Sequence, residues 1–223
     1  MAQRTEDLLI IGAGGTSREI AWAVEEINEA APRWNLLGFL DDDPSRTAET
    51  IHGYSVLGAS DRISLYPSAR IIIGVASYAN PGARERIVQR LDIASERFAT
   101  IIAPSARVSR RAKVGIGSAV LQCAVVSPGC VIGNHAIITQ SCVLGHDSFL
   151  SDYVTLAANV TICGSAHLGD HVYAGAGSII RDGVKIGPNT VVGMGAVVVS
   201  GIAACDRVAG NPARSLTRRS SAG

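Results

Sequence analysis

The sequence predicts two architectures in series. An α/β unit with a parallel sheet occupies residues 1–98, a parallel β-helix residues 99–203, and a C-terminal segment residues 204–223. Three observations carry this prediction. Charge is uneven: residues 1–100 hold 24 of the 39 Asp, Glu, Lys and Arg side chains, and residues 101–200 hold 10. Short apolar runs alternate with helical stretches in the first part. From Ile102 onward an aliphatic residue recurs at every sixth position.

In the first part, Asp7 to Ile11 reads as a short apolar strand. It enters the turn Gly12-Ala13-Gly14-Gly15-Thr16-Ser17 and then a helix from Arg18 to about Ala30, where Ile20, Val24 and Ile27 fall at helical spacing. Leu36 to Leu40 is a second strand, ending in Asp41-Asp42-Asp43-Pro44. Arg70 to Val75 is a third, Pro81 to Ile93 a second helix, and Ala99 to Ile102 a strand leading into the repeat. Alternating strands and helices imply a parallel, Rossmann-like βαβ arrangement. A glycine-rich turn between strand and helix aims backbone N–H groups at an anion, and acidic residues after the second strand can meet a ribose or a base edge. The turn is not a full GxGxxG, because Ser17 stands at its third position. A nucleotide or its diphosphate is therefore expected, not a dinucleotide redox cofactor. The competing readings are a turn that merely needs Gly and a solvated acidic loop.

In the second part, the ladder runs from Ile102 to Val198 with a single exception, Ala174, among positions otherwise Ile, Leu or Val. Four residues after each stands a second set, mostly small or β-branched, from Ala106 to Ile202. Neither a helix nor a hairpin strand has a period of six. A solenoid does, with each hexad one short strand plus a corner and three hexads to a coil. The aliphatic residue then points inward and the small one packs at the corner. Gly follows the aliphatic position at 115, 133, 145, 169, 175, 187 and 193, which suits a crowded corner or an unusual backbone angle. Cys130 and Cys142 fall on small-residue positions and read as inert spacers.

Composition agrees and excludes alternatives. Hydrophobic residues are 47% of the 223, enough for a core. Phe 3, Trp 2 and Tyr 5 stand against Gly 24, so the interior must be Ile, Val, Leu and Ala. A net charge of +1 gives no reason to expect nucleic acid. No apolar run reaches the roughly 18 residues of a spanning helix, and the N-terminal apolar stretch leads into a glycine-rich loop instead of a cleavage site. No membrane is expected. The five cysteines lack CxxC spacing, so neither disulfides nor a zinc knuckle is expected, and the compartment is read as the cytoplasm.

The stretches IIGAGGTSREI (10–20), GFLDDD (38–43), ITQSCVLGHDSFLSDYV (138–154) and VAGNPAR (208–214) resemble the hexapeptide-repeat sugar acyltransferases grouped with sialic-acid O-acetyltransferases and bacillosamine and perosamine N-acetyltransferases. The resemblance implies a left-handed β-helix, a homotrimer and acetyl-CoA as co-substrate in a groove between adjacent β-helices. It also implies a nucleotide sugar on the N-terminal domain and an acidic-neighboured His as general base. It assigns Gly164, Ala176, Met194, Pro212 and Arg214 to acyl-CoA. Gly12, Gly14, Gly15, Thr16, Asp41, Asp42, Gly74 and Thr155 fall to the acceptor and nucleotide. The chain departs from the family where Thr155 and Thr16 replace a frequent His and Thr139 a frequent Asn. These departures bear on the acceptor more than on the chemistry.

The residues point the same way. His146 lies two positions after an inward aliphatic residue, so it stands at a corner facing outward, and Asp147 follows it. Acyl transfer from a thioester needs a base near neutral pH, which imidazole supplies, and a carboxylate orients the ring. Gly164 is 18 residues on, stacked over His146, with a backbone N–H accessible to a thioester oxygen. His135 and His171 share a column with Tyr153 between them, either a stacked surface ladder or a contact to a neighbour. Arg207 and Arg214 can meet CoA phosphates. No metal is expected, since His167 and His171 do not match the H-x4-H ligand spacing of γ-class carbonic anhydrases. The reading is N-acetylation of a nucleotide-linked amino-deoxy sugar by direct transfer. O-acetylation of a sugar hydroxyl and a non-catalytic trimeric nucleotide-binding scaffold remain open. The tail from about Leu216 is expected to be mobile.

Overall fold

The structure, a computed structural model, describes residues 5–216; the tail 217–223 lies outside them. Strand β1 (Glu6–Ile11) is central in a three-stranded parallel sheet between β2 (Trp34–Leu40) and β5 (Arg70–Ile73). A two-strand hairpin, β3 (Thr50–Ile51) and β4 (Tyr54–Ser55), which the apolar pattern did not reveal, follows β2. Side chains of β1 alternate between two layers. Leu8 and Ile10 pack with Ile20 and Val24 of helix α1 (Gly15–Ala30); Leu9 and Ile11 pack toward Ile87 and Val88 of helix α2 (Ala83–Leu91). Helix α1 begins three residues earlier than its apolar spacing predicts, because Gly14 caps it and the first turn carries no apolar residue.

Ile71 bridges Phe98, and Ile101–Ile102 (β6) pairs with Ala119–Val120 of the coil, so the chain passes from sheet to solenoid within three residues. The coil is a left-handed β-helix with three faces. The first runs from Arg107–Val108 to Val197–Val198, the second from Lys113–Val114 to Lys185–Ile186, and the third from Ile101–Ile102 to Arg207–Ala209. Strands are two residues long, save the three-residue Arg207–Ala209, and pair in parallel with the next coil, as in Val143↔Thr161 and Leu144↔Ile162. Ladder residues from Val120 to Val198 and the small residues Ala124, Cys130, Ala136 and Cys142 form one buried core. Each buried aliphatic side chain contributes about 1.5–3 kcal/mol. The same hydrophobic layer that holds α1 also contains Ala99, Ile101, Ala119 and Leu121, so sheet unit and coil share a core.

Of the two reasons the pattern offered for these glycines, crowding holds at 145 and 175: a β-carbon on Gly145 would lie 2.7 Å from Gly164 N, and one on Gly175 2.6 Å from Met194 N. The register slips after Val198. Ile186 bridges Ile202 and Val192 pairs with Val208, so the last coil is two residues shorter. Ile202, expected at a corner, therefore continues the ladder. Among the described residues no helix is long and apolar enough to cross a membrane.

Candidate active site

His146 and Asp147 occupy the corner between first and second faces. Asp147 has φ 58°, the left-handed region that Asp tolerates better than most residues. This turn brings its carboxylate back toward the preceding ring, and Oδ2 lies 3.0 Å from His146 Nδ1. Both side chains are largely exposed, at 71% and 68%. The coil above holds the backbone, with Ser165 N–H donating to His146 O at 2.8 Å, and the coil below holds it through Asp147 N–H donating to Pro128 O at 3.1 Å. Glycines flank the pair on both sides. A β-carbon on Gly164 would sit 2.7 Å from His146 Nε2, and one on Gly129 2.1 Å from Asp147 Oδ1. Gly164 N–H donates to no acceptor among the described residues.

The corner between third and first faces carries Ala176 and Met194. They line an apolar groove of about 460 Å³ with Tyr78, Tyr173 and Ala209. Ala209 pairs with Arg214, which puts Arg214 at the top of the same face; Pro212 lies in the exposed turn between them, and Arg207 and Arg214 are both exposed. The structure thus brings four of the five predicted acyl-CoA residues to one edge of the first face and leaves Gly164 with His146 on the other.

At the sheet unit, Asp41 Oδ2 accepts from Ala13 N–H at 2.7 Å, so its carboxylate braces the glycine loop. Asp42 instead accepts from the Ser60 amide and hydroxyl and from Arg90. Partial burial raises its pKa, but these hydrogen bonds and the Arg90 charge outweigh that and hold the carboxyl below the usual range. The predicted glycines divide by role. A β-carbon on Gly74 would lie 2.2 Å from Ser17 Oγ, and one on Gly12 (φ +90°) 2.9 Å from Val75 Cγ2, so both permit tight packing. Among the described residues nothing crowds Gly14 or Gly15, no side chain caps α1 there, and the buried Ser17 hydroxyl finds no partner. Thr16 is half-buried in the same turn. A helix start of this kind accommodates an anion.

The PglD N-terminal domain family matches residues 7–91, and the bacterial transferase hexapeptide family (six repeats) matches residues 165–200. The acetyltransferase domain of PglB from Neisseria gonorrhoeae FA1090 superposes with a TM-score of 0.84 at 28% identity, over 95% of this chain and 100% of that one. The same domain has been solved in complex with acetyl coenzyme A (TM-score 0.83, 28% identity, 96% and 100% covered). The chain combines a PglD-type N-terminal domain with a hexapeptide-repeat coil and is similar to the hexapeptide-repeat acyltransferases. WeeI from Acinetobacter baumannii AYE is similar at 26% identity (TM-score 0.79, 95% and 100% covered). The fold is also that of a perosamine N-acetyltransferase from Caulobacter crescentus, solved with CoA and GDP-perosamine (23% identity, TM-score 0.83, 95% and 97% covered). No curated protein matches by sequence.

Other predicted residues of this acyltransferase fall elsewhere. Thr155 is 5% exposed, and its hydroxyl accepts from Arg84 Nη2 at 2.8 Å, so within the chain it serves the contact between sheet unit and coil. His135, Tyr153 and His171 do stack, with ring centroids 5.3 and 5.0 Å apart. The two histidines, however, are buried under the sheet unit: Phe98 sets its edge on His135, and Glu85 lies 3.2 Å from His171 Nε2. Arg84 and Tyr78 were missed. Arg84 stands among three arginines in ARERIVQR, and nothing in the sequence distinguishes it from Arg86 or Arg90.

Proposed function

We propose that this acyltransferase moves the acetyl group of acetyl-CoA onto the amino group of a nucleotide-linked amino-deoxy sugar, with His146 as general base. The observation that carries the reading is the exposed His146–Asp147 pair held between Gly129 and Gly164. When Nδ1–H donates to Asp147, Nε2 holds a lone pair and takes a proton from the acceptor amine. The amine nitrogen bonds to the thioester carbonyl carbon, and the Gly164 N–H is available to the oxyanion. Collapse breaks the C–S bond, and the departing thiolate receives the proton from His146. Asp147 fixes the ring and stabilises its charged form between the two transfers. No covalent enzyme intermediate is required.

The donor site extends across two copies in this reading. Gly164 stands at one edge of the first face; Ala176, Met194, Pro212 and Arg214 gather at the other. Between them the face exposes Val125, Val143 and Ile179. A cyclic homotrimer that buries this apolar face sets one edge of each copy against the opposite edge of the next. Acetyl-CoA then lies between Gly164 of one chain and the other four residues of its neighbour, with Arg207 and Arg214 near its phosphates. The acetyl coenzyme A complex of the PglB domain supports this donor. The acceptor's nucleotide is assigned to Gly12, Gly14, Gly15, Thr16, Asp41, Asp42 and Gly74, and a protein of the same fold binds GDP-perosamine.

The test is free-thiol release from acetyl-CoA with a panel of nucleotide amino sugars and free hydroxyl sugars. Turnover with amines is expected, lost in His146→Ala. Turnover with hydroxyl acceptors alone moves the reading to O-acetylation, and none at all despite acetyl-CoA binding moves it to a scaffold.

A further inference from the structure

We propose that Arg84 is a positioning residue: its guanidinium fixes the glycine loop of the sheet unit at one offset from the coil, with the Thr155 hydroxyl as its selective partner. Arg84 is the second residue of α2 and is 2% exposed. Its Nε donates to His135 O at 2.9 Å and Nη1 to Val75 O at 2.7 Å. Nη2 donates to Tyr153 O, to Val154 O at 3.2 Å and to Thr155 Oγ1 at 2.8 Å. Among the described residues no carboxylate pairs with it. Burial pushes the guanidinium down to about 10, which leaves it charged at neutral pH.

A buried cation without a counter-ion is a costly way to glue two units together, since apolar side chains of similar volume hold a contact at least as well. What a guanidinium adds is direction. Its planar fork satisfies several acceptors in one orientation only. Here the acceptors belong to both units. Val75 follows Gly74 and touches the floor of the glycine loop beside Gly12. Tyr153 to Thr155 lie at the coil's second corner and on its third face, one short strand beyond the His146 corner. One side chain therefore links the loop assigned to the acceptor's nucleotide with the coil that carries the base. The apolar layer around Ala99 and Ile101 and the Glu85–His171 pair hold the units together without it, so its loss alters placement before it alters docking.

The inference rests on the acyl-transfer reading, and the experiment separates the two. Thr155→Val and Arg84→Lys are compared with Thr155→Ser in the full-length protein. Misplacement of about 1 Å costs up to about 100-fold in rate. kcat with nucleotide amino sugar is expected to fall about tenfold in Thr155→Val and about 100-fold in Arg84→Lys, with Thr155→Ser close to the parent. Dissociation constants for CoA and for the nucleotide sugar, each read by calorimetry, stay within about twofold, since Arg84 and Thr155 are buried at the contact between the two units and present almost no surface to either ligand. Amide exchange over residues 75–82 rises in the first two variants and not in the third. Unchanged kcat and exchange in both variants overturn the proposal. So does a joint fall of kcat, both affinities and the unfolding temperature, which marks a merely structural role. Should the parent protein acetylate no nucleotide sugar, the proposed function fails, while the exchange data still decide on Arg84.

Discussion

Gly164 and His146 are related by space: the position a β-carbon would take on the glycine is 2.7 Å from the imidazole Nε2. Contact this close lies below any ordinary carbon–nitrogen separation, so any larger residue at 164 must push the ring aside. Gly164→Ala is expected to abolish transfer while leaving the coil folded, as the clash falls on one exposed side chain. His146→Ala removes the proposed base, and kcat is expected to fall by about 10²- to 10⁴-fold. Steady-state kinetics with circular dichroism check both; an active Gly164→Ala variant contradicts the ring placement.

The glycines of the loop should separate by consequence. Gly74→Ala drives a β-carbon into Ser17 Oγ and backbone, shifting the start of α1; it lowers the unfolding temperature. Gly15→Ala meets open space and costs no packing. It leaves the unfolding temperature within about 2 °C of the parent, because a packing-neutral surface change stays within about 0.5 kcal/mol. Its effect is confined to nucleotide affinity, read by calorimetry. Equal destabilisation by both variants would refute the division.

Acid should loosen the contact between sheet unit and coil. Burial, and then the charge of Arg84, push His135 down to about 4, against a partial upward pull from Asp152. An unfolded His titrates near about 6.5. Between these values the unfolded chain binds the extra proton, so stability is complete above pH 6.5 and declines as pH falls toward 4. In His135→Phe, which keeps a ring in the stack, this portion of the decline disappears. Thermal unfolding from pH 4 to 7.5 measures the difference in slope.

Thiol reactivity should follow the coil geometry. Cys130 and Cys142 are wholly buried in the ladder core, and burial pushes the Cys142 thiol up to about 11 despite backbone hydrogen bonds that pull the other way. Cys123 and Cys205 are exposed. Only the thiolate reacts, so alkylation at pH 8 modifies Cys123 and Cys205 in the native protein and Cys142 only after unfolding, as followed by intact mass.

The coil was legible because stacking returns every 18th residue to the same environment, so one constraint is written repeatedly from Ile102 to Val198. Gly164 was found by that arithmetic. Gly129 stands one coil below Asp147 and was equally accessible to it, but its role appears only when the carboxylate direction is known. The shortened last coil was illegible, since pairing of Val192 with Val208 is set by the chain above and not by a hexad. Thr155 read as a departure from the family; the side chain it meets lies 71 residues away in sequence. Arg84 carried no local mark, because burial of one arginine among several depends on which one meets the coil.

His146 and Met194 stand at opposite edges of one face. Under cyclic assembly every reaction centre becomes the joint property of two gene copies' products, which has a consequence for heredity. A chain disabled at His146 and a chain disabled around Met194 each carry the half the other lacks. Co-expressed in equal amounts and mixed at random, they restore about one quarter of the centres. Two lesions at the same corner restore none, so the phenotype of paired defective alleles depends on which corner each one strikes.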